Sequence, residues 1–131
     1  MSWTVTHAPL PGVLDIRLAG RLHADELRAV AVEVIAATAR HACPYHLCDC
    51  TAVESGPSIF DLLGLAEDMR GLGLPAGTHL AMIAPRRAGA ARDVEFWETA
   101  TRNRGFDVRI FGRRELGLAW LDALRAAARS G

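Results

Sequence analysis

Along most of the chain the hydrophobic pattern keeps switching period, and that switching constrains the fold more than any other feature. From Val13 to Leu18 it has period two, with Leu14, Ile16 and Leu18 on one face and Asp15 and Arg17 on the other, as in a strand with two unlike faces. From His23 to His41 it becomes helical, with Leu27, Val30, Ala31, Val34, Ile35 and Thr38 in one stripe. Asp25 and Glu26 fall in its first turn, where carboxylates suit the helix dipole. A third strand is expected from Tyr45 to about Thr51, then a loop up to Ser58. Ser58 and Asp61 have capping-box spacing ahead of Leu62, Leu63, Leu65, Ala66 and Met69, so a second helix starts there and stops near Gly71 or Gly73.

The run from His79 to Ala84 has no polar alternation after its first residue and closes at Pro85, the pattern of a central strand covered on both faces. A third helix from about Ala90 carries Val94, Trp97, Ala100 and Thr101 on one side and ends at Gly105. Phe106 to Phe111 is the last strand and Leu116 to Leu124 the last helix, with Ala127 to Gly131 expected to fray. At the start of the chain, Trp3 to His7 alternates and Pro9, Pro11 and Gly12 force a turn, so the first two strands form an antiparallel hairpin. The order ββαβαβαβα then defines an α/β fold: a mostly parallel five-stranded sheet with one antiparallel N-terminal strand and four main helices. With 131 residues, 50% of them hydrophobic, the chain fills a single domain over 1–131 and can bury a core without disulfides.

Charge narrows the function classes. Fifteen basic and fifteen acidic residues cancel, which removes the overall pull toward nucleic acid. Every basic residue is arginine, so chemistry that needs a Schiff-base or P-loop lysine is excluded. The first residues lack a basic segment followed by a long apolar one, and no stretch reaches the roughly 18 apolar residues of a membrane span, so a cytoplasmic location is expected.

The densest chemistry lies between His41 and Cys50, two histidines and three cysteines in ten residues. His46, Cys48 and Cys50 share a strand face, but i, i+2 side chains on a flat strand do not wrap a tetrahedral ion, so no metal or cofactor is expected. Cys43, nearer a loop, is the best candidate for an exposed thiol. Asp49 lies near the carboxyl end of a central strand, where parallel sheets form ligand crevices, and its competing role is to brace the following loop. Ser55 and Ser58 precede the second helix as caps or phosphate acceptors. Arg86, Arg87 and Arg92 follow a central strand near a helix start and are candidates for anion contact. No Ser-His-Asp order, paired-carboxylate motif or H-E-x-x-H occurs, so no catalytic set is assigned.

Three segments, Val13 to Leu22, Leu47 to Thr51, and Phe96 to Phe111 followed by Leu118 to Leu121, carry a family likeness. They resemble the STAS fold of anti-anti-sigma factors, and more closely the SpoIIAA-like family of stand-alone STAS or CRAL-TRIO-like bacterial proteins. In anti-anti-sigma factors a serine in a D-S-S-G-like stretch at the start of the second helix is phosphorylated by a partner kinase. The matching stretch here is Glu54-Ser55-Gly56-Pro57-Ser58, where Ser55 matches by its following glycine while the aspartate and the doubled serine are missing. The resemblance implies a non-enzymatic regulatory or protein-interaction module that docks a protein partner near Asp49, Ser55 and Ser58. The likeness to CRAL-TRIO domains implies the alternative, a small apolar or anionic ligand held between the sheet and the second helix by Ile59, Leu63, Met82 and Trp97. Pairing of two copies through the Trp3 edge strand is a further expectation.

Overall fold

A computed structural model of the chain describes residues 3–7 and 10–130, and the side chains of His7 and Ser130 lie outside that description. The elements run β1 (Trp3–His7), β2 (Val13–Arg21), α1 (Ala24–His41), β3 (Tyr45–Ser55), α2 (Ile59–Leu72), β4 (His79–Ile83), α3 (Ala88–Arg102), β5 (Asp107–Phe111) and α4 (Arg114–Ser130). The order is the one read from the hydrophobic periods. Pro9 of the predicted first turn lies outside the described residues, while Gly12 closes that turn at φ 80°. α4 continues through the residues expected to fray as far as Ser130, and Gly131 lies outside the described residues.

The sheet order is β1-β2-β3-β4-β5, with β1 antiparallel to β2 and the remaining pairs parallel. This sequential order decides where the helices lie. Three successive right-handed crossovers in one direction put α1, α2 and α3 on the same face. The main core accordingly joins Leu14, Ile16 and Leu18 of β2, Cys48 and Cys50 of β3, and Leu80 and Met82 of β4 to side chains of those helices. α4 covers the opposite face, where Leu121 meets Val13, Leu47, Ala81 and Ile83 in a smaller core. Gly117 lets it come close: a Cβ there would lie 2.9 Å from Ile83 Cδ1, 3.1 Å from Leu47 Cδ1 and 3.3 Å from Ala81 Cβ. Three residues further along α4, the ring of Trp120 is tilted against Phe111 and has Arg109 5.2 Å from its centroid.

β3 is longer than expected. It continues to Ser55 through residues read as loop, because the end of β2 pairs with them (Ala19 with Ala52, Gly20 with Val53, Arg21 with Ser55). The register shifts twice along this stretch, so β3 carries extra residues that alter its alternation. At the first shift Thr51 N donates to Asp49 Oδ1 at 2.9 Å. Beyond it Val53 is buried in the main core together with Cys50.

Candidate functional site

Between the sheet and the three-helix layer lies an apolar cavity of about 130 Å³. Its floor is built by Ile16 and Leu18 of β2, Cys48 and Cys50 of β3, and Met82 of β4. Its walls come from Val30 and Val34 of α1, Leu65 and Met69 of α2, and Val94 and Trp97 of α3. Small side chains make the room, because Ala31, Ala90 and the two cysteines stand where larger residues would fill it. Leu27, Gly56, Pro57 and Asp93 are the partly exposed lining residues near the carboxyl ends of the strands, and they mark the side on which it opens.

Of the four residues predicted to line a pocket, Met82 and Trp97 do. Ile59 does not. It is 56% exposed, and beside it Phe60 is 86% exposed. Leu63 is half-buried and also lies outside the lining. Ser58 caps α2, its Oγ accepting from Asp61 N at 3.2 Å, and this phase turns Leu62, Leu65 and Met69 inward instead.

His46 sits in the cavity wall, 1% exposed. Burial pulls its pKa down to about 4, against a hydrogen bond with the Cys43 backbone that pulls it up, so the ring is neutral at ordinary pH. Its Nε2 lies 2.8 Å from Thr38 Oγ1, which also donates to Val34 O at 2.8 Å. Cys48 and Cys50 have their Sγ atoms 3.9 Å apart. The Cys48 neighbour and burial together push the Cys50 thiol well above its ordinary value. Cys43 corrects an expectation: it is 2% exposed, and burial raises its thiol pKa as well. The turn after α1 folds it inward, with Cys43 N donating to Thr38 O. Among the described residues no group of three or more His, Cys, Asp or Glu side chains is arranged to hold a metal ion.

Asp49 points to the opposite face, toward α4. Besides Thr51 N, its Oδ1 accepts from the Thr51 hydroxyl, and its Oδ2 takes Arg114 NH1 at 2.9 Å. Burial pushes the carboxyl upward, but the Thr51 hydrogen bonds and Arg114 outweigh it and hold the pKa below its ordinary value. Arg114 also reaches Asp15 Oδ2 at 3.0 Å, and Arg17 approaches the same oxygen at 3.3 Å. These four side chains tie β2, β3 and α4 together. Sequence reasoning missed the cluster, because its members lie 65 and 99 residues apart.

Ser55 and Ser58 are exposed, Ser55 at the end of β3, where its carbonyl accepts from Leu22 N at 2.9 Å. Arg87 sits at the N-cap position of α3 and pairs with Glu54 at 3.3 Å, while Arg86 and Arg92 are exposed. None of the three arginines lines the cavity. The structure thus separates the predicted residues into a cavity pair, an exposed loop at the start of α2, and Asp49 on the far face.

A five-stranded sheet with one antiparallel edge strand, three helices on one face and one on the other defines the class of α/β domain to which the chain belongs. Among solved structures it is similar to an uncharacterised protein of the DUF3478 family with a SpoIIAA-like fold from Shewanella loihica PV-4, with a TM-score of 0.54 and 21% identity over 91% of each chain. The chain has the SpoIIAA-like fold that its three segments implied. No protein-family model matches it, and no curated protein matches it in sequence. Among the described residues no helix is long and apolar enough to cross a membrane.

Proposed function

We propose that the protein is a non-enzymatic binding module that holds a small apolar ligand between its sheet and the α1–α3 layer. The cavity carries this reading. Native interiors keep few voids larger than a water molecule. An apolar cavity of about 130 Å³ leaves its lining atoms without packing partners on one side, and a ligand of matching size supplies them. Apolar cavities of about this size accept benzene-sized molecules. The test is thermal unfolding with increasing indole, for the native chain and for Ala31→Leu, which fills the space from α1. Indole is expected to raise the Tm of the native chain and leave that of the variant unmoved. Equal response in both, or none in either, sinks the reading.

A second reading rests on a different observation. Ile59 and Phe60 are exposed at the start of α2, beside Ser55 and Ser58. Two adjacent apolar side chains in water at that place suit a docking surface for a protein partner, and a phosphate on either serine would add about two negative charges there. Intact-mass measurement of the protein from its own cells tests this. A phosphate-sized increment mapping to Ser55 or Ser58 supports it, and an unmodified mass under all growth conditions removes the switch.

A further inference from the structure

The cavity reading leaves the chemical class of the ligand open, and the opening narrows it. Among the described residues Asp93 is the one carboxylate in the lining. It lies on the inward face of α3 with Ala90, Val94 and Trp97, and a Cβ built on Gly56 would come within 3.5 Å of its Oδ2. The carboxylate oxygen therefore stands beside the β3–α2 loop, where the cavity meets solvent. Among the described residues it has no hydrogen-bond or ion-pair partner. The nearby arginines do not change the sign of this opening, because Arg87 is engaged by Glu54 and neither Arg86 nor Arg92 contributes to the lining. One turn beyond Asp93, the half-buried indole of Trp97 lines the same space.

A carboxylate with an aromatic ring one helical turn away favours a positively charged group: the carboxylate by ion pairing with a charge-assisted hydrogen bond, the indole through its electron-rich face. An anionic head at the same place would meet a like charge in a partly desolvated site. We infer that the cavity selects small cationic amphiphiles, primary amines with a ring or short alkyl body, and rejects carboxylates of the same shape. This inference rests on the cavity reading and adds the sign of the ligand's polar end.

The test uses three probes of similar size that share a phenyl ring on a short arm, applied to the full chain: phenethylamine, phenethyl alcohol and phenylacetate. The methyl resonances of Met69 and Met82, both in the lining, report occupancy by NMR. The amine is expected to bind on the order of tenfold more tightly than phenylacetate, with the alcohol between them. Asp93→Asn should erase that order, the amine losing its advantage and phenylacetate its penalty. If all three probes move the two methyls with equal affinity, or phenylacetate binds best, the charge selection is wrong and the apolar cavity site stands. If none moves them, both the inference and the cavity reading fall.

Discussion

Acidification should destabilise this protein through His46, and the size of the effect follows from where that ring sits. His46 is 1% exposed, and burial lowers its pKa to about 4 from an ordinary 6.5. Its folded pKa is depressed, so the unfolded chain binds the proton first. The stability is fully present above about pH 6.5 and is lost as the pH falls from there toward 4. At pH 5 the unfolded imidazole is largely charged while the buried one is still neutral. The difference is about 2 kcal/mol relative to pH 8, rising to roughly 3 kcal/mol near pH 4. Against a typical domain stability of about 5–15 kcal/mol this is a large fraction. Asp49 does not share the window, since its carboxyl is held below 3.8 and its contribution is lost only at lower pH.

Urea unfolding at pH 8 and pH 5 reads the effect directly. His46→Gln keeps a polar group opposite Thr38 and removes the titration, so the variant will be less stable at pH 8 but should lose about 2 kcal/mol less on going to pH 5. The slope with pH is the informative quantity, and the loss in the variant at a single pH is not. If native chain and variant lose the same stability between the two pH values, the buried neutral imidazole is not the acid-sensitive group.

Three further substitutions and one reagent probe other parts of the fold. Gly117→Ala should destabilise by about 1–2 kcal/mol despite alanine's better helix propensity, because Ala81 Cβ is fixed and the Ile83 and Leu47 side chains are fully buried. Gly64→Ala in α2, with nothing within 4 Å of the new Cβ, should instead stabilise by up to about 1 kcal/mol, and paired denaturant curves separate the two signs. Arg114→Leu should cost about 2–4 kcal/mol by urea unfolding, since it leaves Asp15 buried without its main counter-charge. Cys43 is buried outside the cavity and burial raises its thiol pKa, so a thiol reagent at neutral pH should react there only at the rate of unfolding. A fast-reacting Cys43 in the native state would contradict this placement.

What could be read from the residues, and what could not, divides by range. Each strand and helix announces itself through local period, whereas the sheet order that assigns α1, α2 and α3 to one face is set by long-range pairing and is seen only in the structure. The end of β3 could not be read this way, because Thr51, Ala52 and Ser55 look like loop until the end of β2 pairs with them. The phase of α2 is also ambiguous from inside: Ile59, Phe60, Leu62, Leu63 and Leu65 are nearly continuous apolar sequence, and only docking on the sheet decides that Leu62 and Leu65 go in while Phe60 faces water. Arg114 offered no local signal either, for its carboxylates lie on strands far earlier in the chain. The cavity is subtler. No residue announces a missing volume, yet alanine and cysteine at inward positions of α1, α3 and β3 are its trace. Asp93 follows the same logic. One position before Val94 and four before Trp97, it reads as the solvent edge of an apolar stripe, and it becomes part of the lining only because α3 and the β3–α2 loop leave the cavity open beside it. The charge beside the cavity's opening is therefore a property of packing between elements, which the local pattern does not carry.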